Sequence, residues 1–311
     1  MTVSRALKTP ERVSADTLQR VRDAVARTGY VSNGLAGGLR SARTLLVAAL
    51  VPALRSHLYD ATIESLGAAL AAHGYHLLLG QTEHSPQQEE DLVRAVLGRR
   101  PDGIVITGVR HSKGTRALLL ASGIPVVELN DWTPTPIDML VGFSHEQMGR
   151  DACGYLADKG HRRLAVIATD NERSQRRTES FVSAAKARRL TTPPVHVLSA
   201  STLHGGGRAG LAALLEQGPI DAVYCGSDMV ALGVLTEARA RGIEVPGTLA
   251  VLGSGDLDFA ASTSPSLSSV RVDFARVGTL AARCITDRVA GNDGADTLVD
   301  VGFTIVERES A

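Results

Sequence analysis

The chain of 311 residues is poor in aromatics, with five Phe, five Tyr and a single Trp, and it holds only three cysteines. Cys153, Cys225 and Cys284 are odd in number, far apart and set in apolar runs. That spacing argues against a disulfide framework and for buried, reduced thiols. No apolar run reaches the roughly 20 residues that a membrane helix needs, and the polar start lacks a signal-peptide pattern. A cytoplasmic protein is expected. Also missing are a Walker loop, a G-x-G-x-x-G after a strand and a G-x-S-x-G elbow. Their absence lowers the case for an enzyme, and nothing calls for a cofactor. His73 and His76 have ligand-like spacing without a nearby carboxylate or Cys, so they read as a helix end rather than a metal site. Gly205-Gly206-Gly207-Arg208 reads as a loop entering a helix, with an anion cradle as the other possibility.

What is present is ample apolar material, 44% of residues, in a length that suggests about two domains. Net charge is zero but unevenly spread. The first 43 residues carry eight Lys/Arg against three acids, which leaves that head at +5 and the remainder at −5. A basic head on an acidic body suits a polyanionic partner for the head alone.

Ser14 is a good N-cap, Leu18, Val21 and Val25 recur at helical spacing, and Gly29 is a stop. Residues 1–7 read as a preceding helix. Asn33 to Leu39 permits a short helix, but its three glycines each cost roughly 1 kcal/mol relative to Ala. From Leu45 the pattern turns to short apolar strands alternating with amphipathic helices. Strands are expected at 45–51, 75–79, 103–107, 125–129, 139–141, 164–168, 195–198, 222–225, 249–252 and 304–306. Helices are expected near 61–72, 87–97, 116–121, 146–158, 179–188, 208–216, 229–241 and 277–289. Two βαβ series in succession imply two doubly wound lobes, with ligands at the carboxyl ends of the strands.

Thr2-Val3-Ser4-Arg5-Ala6-Leu7, Val13-Ser14, Arg20-Val21, Gly29-Tyr30, Asn33 and Leu35-Ala36 together resemble the DNA-binding head of lactose-repressor/galactose-repressor (LacI/GalR) family regulators. The likeness runs through Arg40-Ser41, Phe143-Ser144-His145, Gly160-His161-Arg162, Ser227-Asp228, Ala231-Leu232-Gly233, Val245-Pro246, Ser264-Pro265-Ser266-Leu267 and Val270-Arg271. Residues 35–41 and Gly253-Ser254-Gly255-Asp256 resemble gluconate-utilisation repressors of that family. The resemblance implies an α/β fold of two doubly wound parallel-sheet lobes, of the type I periplasmic-binding-protein kind. An incomplete all-α helix-turn-helix head (1–31) and a hinge (32–44) precede them. The lobes would comprise 45–143 with 272–291, and 144–271 with 292–311. The head lacks the family's first helix, so poor operator binding is expected of this chain.

The resemblance also implies roles. Arg5 would read a base edge or clamp a phosphate, and Thr2 and Ser4 would bond phosphate or base. Asn33 would reach the backbone, and Leu39 would wedge into the minor groove or serve only as linker. In the cleft, Arg177, Asp131, Ser227, Asp228 and Asp256 would bind an effector, with Tyr59 and Trp132 stacking or covering it. Ser180 and the Ser254-Gly255 pair depart from the family's pattern. Packing, turn or capping roles stay open for Tyr59, Asp131 and Asp228. Arg and carboxylate suit a sugar or sugar acid. The expected partners are operator DNA, such an effector and a second copy of the chain. Coupling of about 1–3 kcal/mol between effector and hinge would change DNA affinity about 5- to 150-fold. A transport-type solute-binding protein and a sugar-converting enzyme are the rival readings.

Overall fold

The computed structural model describes residues 3, 5–6, 9–30, 43–53, 57–199, 203–292 and 297–311. They belong to two compact units, Met1–Leu45 and Leu46–Ala311. Thr2, Ser4, Asn33, Leu39 and the hinge glycines lie outside the described residues.

In the first unit a turn at Pro10–Arg12 leads into α1 (Ala15–Thr28). Ser14 occupies the N-cap, but its hydroxyl bonds Thr17 Oγ1 at 2.9 Å rather than a backbone amide. Gly29 ends the helix at φ 62°, a left-handed turn that costs glycine nothing. Val3, Arg5 and Ala6 are helical, and Arg5 is exposed. No residue of α1 is fully buried; Val21, Ala24 and Val25 border an open groove together with Val3 and Tyr30.

The second unit runs β1 (Leu46–Val51), α2 (His57–Ala72), β2 (His76–Gln81), α3 (Pro86–Leu97), β3 (Gly103–Thr107), α4 (Lys113–Ser122), β4 (Val126–Leu129) and β5 (Met139–Gly142). It continues with α5 (His145–Asp158), β6 (Leu164–Thr169), α6 (Glu172–Ala187), β7 (Val195–Leu198), α7 (Leu203–Gln217), β8 (Ala222–Cys225), α8 (Asp228–Ala240) and β9 (Ala250–Ser254). It ends with β10 (Ser268–Arg271), α9 (Phe274–Val289), β11 (Leu298–Asp300) and β12 (Thr304–Val306). The strands form two six-stranded sheets of matching order, β2-β1-β3-β4-β5-β11 and β7-β6-β8-β9-β10-β12. Central strands such as β3, β6 and β8 are buried at every residue because helices cover both faces, which is why they read as unbroken apolar runs. Separate clusters lie on the two faces of each sheet; Leu70, Val105 and Ile285 belong to one, and Phe181, Tyr224 and Leu252 to another. The three cysteines are free and buried. Among the described residues no helix is long and apolar enough to cross a membrane.

Three expectations need correction. Residues 292–311 do not belong wholly to the second lobe. Leu298 pairs with Leu140 in parallel, so β11 completes the first sheet, and only β12 joins β10, antiparallel, in the second. The chain therefore crosses between lobes three times, at Phe143, near Val272 and at Val301–Phe303. Second, Gly205–Gly207 lie inside α7 rather than in a loop. A Cβ on Gly207 would sit 2.1 Å from the Val230 carbonyl, so the glycine serves close packing of α7 on α8. Third, α6 starts at Glu172, seven residues before the expected 179, because the Asn171 side chain accepts from Ser174 N at 2.9 Å.

Candidate ligand-binding cleft

The carboxyl ends of both sheets face each other across a cavity of about 260 Å³. The crossing segments make its apolar floor. Phe143 meets His145 edge-on at 4.9 Å and Phe274 at 6.3 Å between ring centroids, and Val272 and Met148 line the same side. The first lobe adds Tyr59 from α2, His84 after β2 and Asn130 after β4. The second adds Thr169, Asn171, Arg173, Arg177, Gly226, Ser227 and Ser254 from the ends of β6, β8 and β9 and the start of α6.

The arginines are seated by packing. A Cβ on Gly149 would lie 2.1 Å from the Arg177 carbonyl, so only glycine lets α5 approach α6 this closely. Arg177 Nη2 donates to the Gly226 carbonyl at 3.3 Å, while its buried Nε has no hydrogen-bond partner among the described residues. Arg173 Nη2 donates to the Tyr59 hydroxyl at 2.7 Å, a contact between lobes. Ser227 caps α8 by accepting from Val230 N at 3.3 Å.

His145 is neutral: burial, reinforced by the Arg177 and Arg173 charges, holds it well below its ordinary value. Its Nε2 donates to the Asn130 carbonyl at 3.1 Å, which leaves Nδ1 an unpartnered acceptor. Asn130, in the left-handed region at φ 56°, has neither amide atom hydrogen-bonded among the described residues. Unpartnered buried polar atoms are costly, and these four atoms belong to residues that line one cavity.

Of the seven expected effector residues, Tyr59, Arg177 and Ser227 line the cavity and the other four do not. Asp131 is fully buried with both oxygens on Arg176 Nη2, at 2.5 and 2.6 Å. Trp132 follows it, its amide donating to Asp131 Oδ1 at 2.8 Å. Asp228 accepts from the Ser269 hydroxyl at 2.6 Å and from Leu257 N at 2.7 Å. Asp256 pairs with Arg271 at 2.5 Å and Arg308 at 2.7 Å. Each of these acids adjoins a lining residue and is turned away by partners distant in sequence. Asn130, His145 and Arg173 line the cavity and were not among the expected effector residues. Their signal was position, at a strand end or in the first turn of a helix, rather than residue type.

A helical head followed by two interleaved parallel-sheet lobes around a polar cleft defines a ligand sensor built on the periplasmic-binding-protein plan. Residues 153–311 match the model of a periplasmic binding protein-like domain, and residues 1–33 that of bacterial regulatory proteins, lacI family. The chain is 36% identical over 313 residues to the HTH-type transcriptional regulator GntR of Pseudomonas aeruginosa, covering 100% of this chain and 91% of that protein. A LacI-family transcriptional regulator from Silicibacter pomeroyi is similar at TM-score 0.93 and 30% identity, covering 100% of this chain and 95% of that one. The transcription regulator GntR from Chromobacterium violaceum is similar at TM-score 0.79 and 30% identity, over 85% of this chain and 98% of that one. The chain belongs to the LacI family and is a DNA-binding transcriptional regulator with a periplasmic-binding-protein-like sensor.

Proposed function

We propose that this regulator is a dimeric repressor whose effector is a small sugar acid, with gluconate the first choice, and that effector binding releases it from its operator. The observation that carries the reading is charge. Arg173 and Arg177 line the cavity, and among the described residues no carboxylate does. A carboxylate ligand fits the Arg177 fork by charge-assisted bonds. Hydroxyls fit the remaining groups: they donate to His145 Nδ1 and exchange bonds with the Asn130 amide. The apolar face of such a ligand fits Phe143 and Phe274. Two relatives bear the name GntR, which agrees with this chemistry. Arg5, exposed on a helical stretch of the head, is the described side chain proposed for operator contact.

Titration calorimetry of the full chain with gluconate and with glucitol, its uncharged counterpart, tests the reading. Binding of gluconate at least tenfold tighter is expected, with the ligand recovered unchanged. Equal affinities would refute it. A gel shift with operator fragments, with and without gluconate, tests release.

A further inference from the structure

Arg176 is the one arginine in the first two turns of α6 that does not line the cavity, yet it is the most heavily engaged. Its side chain is 10% exposed, and all three guanidinium nitrogens meet carboxylates. Nη2 holds Asp131, at the end of β4 in the first lobe, at 2.5 Å. Nη1 holds Glu146, in the first turn of α5, at 3.0 Å. Nε lies 2.7 Å from Glu172 Oε1, one turn back on α6, an ion pair without hydrogen-bond alignment. Glu172 Oε1 then returns to the first lobe, meeting Arg110 Nε, between β3 and α4, at 2.9 Å. The ionic chain Asp131–Arg176–Glu172–Arg110 thus begins and ends on one lobe and passes through the other. It adjoins the cavity, because Asp131 follows Asn130, and Arg176 precedes Arg177, in the lining.

We propose that Arg176 is a positioning residue for effector binding: it touches no ligand, and its ionic chain latches the lobes in the relative setting that presents Asn130 and Arg177 to one ligand. The inference rests on the cleft being the effector site. Only a latched molecule offers both lobes' groups together, and apparent affinity scales with the latched fraction. The arrangement suits guanidinium, since its two Nη groups bond carboxylates of different lobes while Nε faces a third, a spread that a single ammonium centre does not offer.

Removing Arg176 alone strands the buried Asp131, and such a variant can fail for that reason alone. The decisive variant is Arg176→Met with Asp131→Asn, which removes both partners of the buried pair. Spin labels on Leu120→Cys in the first lobe and Lys186→Cys in the second, with labelled protein diluted in unlabelled full chain, report lobe separation by pulsed dipolar spectroscopy. The double variant should broaden and lengthen the ligand-free distance distribution and weaken gluconate binding at least tenfold. Arg110→Ala, which loosens only the exposed end of the chain, should do both to a lesser degree. An unchanged distance distribution overturns the latch whatever happens to affinity, and so does wild-type affinity in the double variant. If the parent chain binds no gluconate, the sugar-acid reading fails, and the distance measurement still decides the latch.

Discussion

The two lobes share a strand order but bury charge in different ways. The first encloses a carboxylate–imidazole–carboxylate row: His111 Nδ1 lies 3.0 Å from Glu89 and Nε2 lies 3.4 Å from Glu128. Glu128 is fully buried on β4, its other oxygen accepting from Ile137 N at 2.5 Å. The second lobe encloses Asp228 with neutral donors only, a hydroxyl and an amide. Burial opposes the charge on His111, but hydrogen bonds and attraction to Glu128 and Glu89 outweigh it and raise the imidazole to about 9. Burial raises the Asp228 carboxyl, against the pull of Ser269 and Leu257. Charge is thus kept by pairing at His111 and discouraged by dispersal among dipoles at Asp228, while the second lobe pairs its other buried acid, Asp256, with Arg271 and Arg308. The cleft between them is lined by the second lobe's arginines, so cation comes from one side while neutral hydrogen-bonding groups come from both.

The sharpest way to break this division of labour is Arg177→Ala. Charge-assisted hydrogen bonds contribute about 1.5–3 kcal/mol, so gluconate affinity should fall by up to about 100-fold, read by calorimetry. A fall no greater than that for Asn130→Ala would erase the distinction between the lobes. Second in size is the pH response of the first lobe. The raised imidazole contributes stability that is full below its unfolded value near 6.5 and is lost as pH rises through about 9. The thermal midpoint should decline across that window, and His111→Gln should flatten the decline. Asp228 has the opposite placement on the pH axis: its raised carboxyl withdraws stability as pH climbs out of the acid range. Third, Asn130→Ala should weaken gluconate about tenfold by removing neutral bonds worth about 1–1.5 kcal/mol. Smallest is Tyr59→Phe, which deletes the acceptor for Arg173; a two- to fivefold change is expected for a partly exposed contact.

Much of the lobes was legible in the sequence because buried parallel strands are written as apolar runs; residues 103–107 and 222–225 were read to the residue. β10 was not, since its buried Ser268 and Ser269 satisfy their hydroxyls through Arg308, Ala311 and Asp228 rather than by apolarity. β11 was missed because its three residues sit at a sheet edge, half exposed, with no run to detect. The polar, arginine-rich opening of α6 hid its first two turns, and these hold Arg173, Arg176 and Arg177. The cleft was legible by place but not by membership. The family resemblance named Asp131, Asp228 and Asp256 as polar groups of the cleft, and only tertiary partners decide that each faces away.

The triple crossing between lobes carries a consequence for how this molecule comes into being. The first lobe is begun by β1 but needs α9 and β11 to cover its face and close its sheet, and Leu140 finds its partner Leu298 only after nearly the whole chain exists. During synthesis the earlier lobe must wait, with an uncovered apolar face and an open strand edge, while the later lobe assembles inside its interruption. Such long-range closure is slow and exposes surfaces that associate wrongly. Truncation anywhere before residue 300 would thus spoil the lobe translated first, and the abundance of this regulator in a cell would answer to how well that waiting half is protected.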